Sequence, residues 1–220
     1  LINENETCDL TETKSTLICT QLDRPLIFVA HSLGGLVCAN ALSRQHGTNQ
    51  GYKQIVESTC GVVFLGTPFE GSAKARWASV AAKFLDLFTS THREKIKDLE
   101  ERSQKLISIN EAFFKFLKAR DRSSKPVEIA CFFEEYPTYI SGKKIGTIVP
   151  KGSATLPGID PLPISANHTD LCRFEDEERT GYINISNVLS QWIRSLEAGP
   201  LNSENKVRKY IPRHTFAIEY

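Results

Sequence analysis

The stretch Leu26-Ile-Phe-Val-Ala-His-Ser-Leu-Gly-Gly35 carries the fold. Leu26 to Ala30 has no polar residue, the pattern of a strand covered on both faces in a parallel sheet. His31-Ser32-Leu33-Gly34 then matches the core of the nucleophile elbow G-x-S-x-G, with Ala30 at the first glycine position. That turn wants small residues two before and two after the serine, because neighbouring backbone lies close. Gly34 and Gly35 are expected to let the next helix approach the sheet, and Leu36 to Leu42 supplies the helix. Its N-terminus faces Ser32, so the Leu33 N–H is a candidate oxyanion donor. The plainer reading is a strand, a turn and a helix with Ser32 as an ordinary N-cap.

Working outward, 220 residues suffice for one sizeable core. A net charge of +1 and the lack of a basic block interleaved with aromatics argue against nucleic acid as a partner. No apolar run approaches the roughly 18 residues of a membrane span. The six cysteines form no C-x-x-C pair, so no zinc site, other metal or cofactor is implied, and reduced thiols in an intracellular protein are the simplest account. The sequon at Asn167 directly precedes His168, where a glycan would obstruct the candidate site. That favours a cytosolic or organelle-matrix protein, with mitochondrial or endomembrane association open.

Residues 1–22 are polar, then mildly apolar, and are expected to end as a helix on the sheet. A helix over 33–45, a short helix over 52–58 and a second apolar strand over 60–65 follow. Residues 74–119 read helical, with Ser108-x-x-Glu111 as a capping box dividing them into at least two helices. This insertion is either a lid over an apolar pocket or a packed helical layer. A third strand spans 127–133, a short fourth 147–149, a Gly- and Pro-rich loop 152–163, and a last amphipathic helix 181–197. The domain is therefore set at 1–198, with 199–220 as a linker or the start of a further segment.

A serine hydroxyl becomes an effective nucleophile when a histidine takes its proton and a carboxylate orients that histidine. Of five histidines, His31 is next to Ser32, with its ring turned away from it as packing, and is with Phe69 a candidate substrate-binding residue. His46 and His92 sit in polar segments and His214 in the tail. His168 alone lies in a late loop before the last helix. Glu134 and Glu135 end the strand after the insertion, and strand alternation leaves the choice between them open. Asp160 and Asp170 are rivals, the latter better suited to bracing the His168 loop.

Phe28-Val-Ala-His-Ser-Leu-Gly-Gly-Leu-Val37 and Gly61-Val-Val-Phe-Leu-Gly-Thr-Pro-Phe-Glu-Gly-Ser72 resemble the lipase/esterase-like serine-active-site-containing family, found also at the N-terminus of fungal NACHT and ankyrin-repeat receptors. Phe132 to Thr138, Ile148 to Ala154 and Ala166 to Phe174 continue the resemblance, which covers about residues 20–196. It implies an α/β-hydrolase fold with Ser32 as nucleophile, His168 as base and Glu134 rather than Glu135 as acid. Ala30 stands for the usual glycine, Tyr136 for a leucine, and Phe69 for the usual histidine in a loop expected at the pocket mouth. Only 25 residues precede Leu26, with no apolar strand and no Gly-rich oxyanion loop among them. The chain thus looks like the C-terminal two-thirds of a hydrolase domain. It is expected to expose the edge of strand 26–30 and, alone, to be poorly soluble or dimeric and nearly inactive. The resulting expectation is a Ser-His-Glu hydrolase of ester or thioester bonds in acyl or lipid-like substrates, fused in the whole protein to downstream NACHT or repeat domains. The alternative is a non-catalytic signalling or interaction domain of such a receptor.

Overall fold

A computed structural model describes residues 24–44, 49–69, 80, 83, 96–123 and 125–197. The readings of 1–22, of His46, His92 and His214, of the tail and of most of 74–95 lie outside the described residues. Strand β1 (Leu26–His31) leads through Ser32 into helix α1 (Leu33–Ser43). Helix α2 (Gln50–Ser58) precedes β2 (Thr59–Leu65), and the long helix α3 (Ile96–Asp121) precedes β3 (Glu128–Glu134). A hairpin of β4 (Thr138–Ile140) and β5 (Lys143–Gly146) follows. Then come β6 (Leu162–Ile164), a 3₁₀ turn (His168–Asp170) and helix α4 (Thr180–Glu197).

The sheet has the order β1-β2-β3-β6 with every neighbouring pair parallel, so this is an α/β fold. β2 is interior to the sheet and apolar from Cys60 to Leu65 because both its faces are covered. On one face Val62, Phe64 and Cys131 pack with Leu36, Ala39 and Leu42 of α1 and Phe113 of α3. On the other, Val63, Leu65, Ala130, Phe132 and Ile164 pack with Ile185, Val188, Leu189 and Trp192 of α4. α4 comes so close that a Cβ on Gly61 would sit 2.6 Å from the Trp192 ring. A glycine at 61 is therefore a packing requirement.

β1 departs from the fully covered strand expected for it. It is only partly buried, and Val29 is 53% exposed. Among the described residues β1 pairs with β2 alone, and α4 covers β2 and β3 rather than β1.

α3 runs unbroken through the expected capping box. The Ser108 hydroxyl donates to the Lys105 carbonyl within the helix, which satisfies it without ending the helix. Leu106, Ile109, Phe113, Phe116 and Leu117 pack on the sheet, so this part of the insertion is a core layer. Arg120 near its end donates to the carbonyls of Val56, Thr59 and Lys125, tying α3 to the end of α2.

Two further expectations are corrected. Residues 147–149 are no strand; the Ile148 and Val149 N–H groups turn to Glu134 instead of a neighbouring strand. Within the stretch read as loop, Leu162 and Pro163 belong to β6, which pairs with Phe132 to Glu134. Pro163 is tolerated there because β6 is the last strand of the sheet among the described residues.

Candidate active site

The site is assembled at the carboxyl ends of β1, β3 and β6, the usual place for ligand chemistry in an open α/β sheet. Ser32 follows β1 with φ 57° and ψ −134°, a conformation that L-residues rarely adopt. Its N–H is held by the Leu65 carbonyl at 2.8 Å. Its hydroxyl makes no cap bond to α1, so the plain N-cap reading does not hold. The hydroxyl points to His168, with Oγ 2.9 Å from Nε2.

Among the described residues, nothing lies within 4 Å of where a Gly34 Cβ would be, whereas a Cβ on Gly35 would collide with the Thr67 side chain. The close approach of α1 therefore falls on Gly35 rather than on both glycines.

His168 opens the 3₁₀ turn after β6 and is almost fully buried. Its Nδ1 lies 2.7 Å from Glu134 Oε2. The other carboxylate oxygen, Oε1, accepts from the N–H groups of Ile148 and of Val149, the latter at 3.0 Å. Two of the three partners of Glu134 are backbone N–H donors, which suits an ionised, acceptor-only carboxylate, and such a carboxylate calls for a donor at the third. Nδ1 then carries the imidazole proton, and Nε2 is left to accept from the Ser32 hydroxyl.

Alternation along β3 turns Glu134 inward, 2% exposed, and Glu135 outward, where it accepts from the Ser165 hydroxyl at 2.8 Å. The loops carrying Glu134 and His168 are laced together by main chain: Glu135 N–H to Ile164 C=O and Tyr136 N–H to Ala166 C=O, each at 3.1 Å. The Asn167 side chain accepts from the N–H groups of Thr169 and Asp170 and donates to the Asp170 carboxylate. Asp170 thus braces the turn.

The chain is similar to Protein SERAC1 of Homo sapiens, 31% identical over 151 residues, which are 69% of this chain and 21% of that protein. It is also 32% identical to Protein SERAC1 of Bos taurus over 151 residues, with the same coverage, and 31% identical to that of Danio rerio over 156 residues, 71% of this chain and 22% of that protein. The chain spans about a fifth of the length of these curated relatives. No protein-family model matches it. The similarity supports a hydrolase-like α/β domain.

Leu33 opens α1, where the first N–H groups of a helix have no intrahelical acceptor. Phe69 is 4% exposed and packs edge-on to Phe64, with ring centroids 4.6 Å apart, and parallel to Phe113 at 6.3 Å. The ring expected at a pocket mouth thus lies in the aromatic core. His31 donates from Nε2 to the His168 carbonyl at 2.8 Å. Sequence reasoning missed three supports of the site: this bond, the Thr138 hydroxyl that accepts from the His168 N–H at 3.2 Å, and the Ile148–Val149 amides. No helix among the described residues is long and apolar enough to cross a membrane.

Proposed function

We propose that the chain carries a serine hydrolase site acting on ester or thioester bonds, with Ser32 as nucleophile, His168 as general base and Glu134 as the acid that orients it. The observation supporting this is the continuous run Ser32 Oγ, His168 Nε2, His168 Nδ1, Glu134 Oε2, with steps of 2.9 and 2.7 Å in a buried setting.

The chemistry follows from the donors and acceptors. As Oγ attacks the acyl carbon, its proton passes to Nε2, and Glu134 stabilises the imidazolium that forms. The C–O or C–S bond then breaks, and His168 returns the proton to the leaving alkoxide or thiolate. Water, deprotonated by the same imidazole, attacks the acyl-serine and releases the acid and free Ser32. The Leu33 N–H, at the positive end of α1, is one donor to the oxyanion of each tetrahedral state. Leu33 and Val37 are exposed one helical turn apart, at 40% and 69%. This apolar surface beside the nucleophile suits an acyl or lipid-like substrate.

The test is a fluorophosphonate probe, which phosphonylates an activated serine. Labelling of the whole protein that carries this chain, lost in Ser32→Ala with folding intact, supports the reading. Absence of labelling in the folded whole protein favours the interaction domain instead.

A further inference from the structure

His31 takes no part in the proton transfers above, yet its ring nitrogen is committed to the backbone of the base. A carbonyl oxygen only accepts, so the 2.8 Å contact fixes the proton on His31 Nε2 and leaves the ring as a donor to His168 C=O. The two imidazoles lie side by side, with centroids 5.1 Å apart and planes tilted by 37°. On the other side of the peptide unit, the His168 N–H is held by Thr138. The main chain of the base is thus gripped at both its polar groups, and its side chain is aimed by Glu134.

We propose that His31 is a positioning residue for His168, coupling the place of the base to that of the nucleophile; this rests on the reading of Ser32 and His168 given above. His31 is covalently adjacent to Ser32, whose backbone is strained. A movement of the elbow during acylation shifts His31 as well. Through the Nε2–carbonyl bond it carries His168 along, so that Oγ and Nε2 stay within reach. The other bonds of the 3₁₀ turn and its loop described above run to β3, β4 and their own side chains. Without the His31 bond, the separation of nucleophile and base follows the relative movement of two loops. A misplacement of about 1 Å at a reacting pair costs on the order of 10²-fold in rate.

Glutamine is the conservative variant. Its amide nitrogen stands the same number of bonds from Cα as a histidine Nε2 and can donate to the same carbonyl. Asparagine is a polar control one carbon too short. The whole protein that carries this chain is tested as parent, His31→Gln, His31→Asn and His31→Ala, by the rate of fluorophosphonate labelling of Ser32 and by turnover of a soluble activated ester. Labelling and kcat are expected to fall about 10- to 100-fold in His31→Ala and His31→Asn, with KM within about twofold of the parent, and to stay within about threefold in His31→Gln. Thermal unfolding is recorded for all four. A variant unfolded at the assay temperature is read through the glutamine and asparagine pair, which differ by one methylene.

Parent-like labelling in folded His31→Ala overturns the inference, as does a glutamine variant as slow as alanine. A folded parent that does not label overturns the reading of the site itself, and the inference with it. A parent that labels while the variants do not differ overturns the inference alone.

Discussion

Replacing Glu134 by glutamine preserves shape and removes one acceptor oxygen, and the structure dictates how the site must respond. The carboxylate accepts three N–H groups: one from His168 and two from Ile148 and Val149. A glutamine can place its carbonyl toward the imidazole, with its amide hydrogens then facing two buried backbone donors. Each unsatisfied donor costs about 1–3 kcal/mol, so this orientation loses about 2–6 kcal/mol. It can instead keep its carbonyl on the two backbone amides and present N–H to His168. One clash then remains, and the imidazole relieves it by moving its proton from Nδ1 to Nε2. That second arrangement is the cheaper. It leaves Nε2 protonated against the Ser32 hydroxyl and unable to take its proton. In a serine protease the corresponding carboxylate-to-amide change lowers kcat about 10⁴-fold. The expectation here is therefore a 10³- to 10⁴-fold loss in Ser32 labelling rate, about 4–5.5 kcal/mol in the barrier. The stability loss stays near 1–2 kcal/mol, a shift of roughly 2–8 °C for a domain of this size. Glu135→Gln, whose parent carboxylate meets only Ser165 at the surface, is the control and should label within about twofold. A Glu134→Gln protein labelling within tenfold of the parent, or a Glu135→Gln protein slowed equally, would refute the assigned tautomer and acid.

Three further outcomes are expected. Ser32→Gly should unfold about 1 kcal/mol later than Ser32→Ala in urea, because glycine releases the strain of φ 57° while both lose the hydroxyl; equal midpoints would mean that the turn stores no strain. Gly61→Ala should cost about 1–3 kcal/mol through the Trp192 ring, and Gly61→Ala with Trp192→Leu should cost less than the sum of the two single changes in a double-mutant cycle. The His31 pKa is lowered, first by burial, with the neighbouring His168 ring and the Arg173 guanidinium lowering it further and the His168 carbonyl and Glu134 opposing. A folded base with a lowered pKa binds fewer protons than the unfolded chain. Its contribution is therefore complete above the ordinary value of 6.5 and is lost as pH falls from there through the folded pKa. Urea midpoints from pH 7.5 to 5 should fall less steeply in His31→Gln than in the parent, and identical slopes would refute this.

The legible parts of the molecule were those whose sequence period is set by burial. β2 and β3 are nearly continuous apolar runs because helices cover both faces, and α4 shows its buried stripe. The elbow was legible because a strand, a serine turn and a helix follow one another without a gap. β6 was not, since three residues containing Pro163 give no pattern to read. The β4–β5 hairpin had a readable signal, Ser141-Gly142, whose positive φ values of 49° and 79° make the tight turn. The choice of Glu134 over Glu135 needed the alternation of β3, which its almost wholly apolar sequence conceals. The sequence places His31 as a packed ring beside Ser32 at the substrate site. Its partner is a backbone carbonyl 137 positions later, which no local pattern encodes.

The grip on Glu134 by two peptide N–H groups has a consequence for how such sites drift. Any amino acid but proline supplies an N–H, so the anchoring of the acid is indifferent to which side chains stand at 148 and 149 as long as the core accepts them. What it cannot tolerate is a slip in register. The next residue is Pro150, with no N–H to give, and deleting one residue between the hairpin and Ile148 would bring it into one of the two anchoring places. Substitutions at these positions are therefore cheap for the acid, whereas single-residue deletions just before them are expensive. The hairpin's length, more than its composition, is what descendants of this chain are obliged to keep.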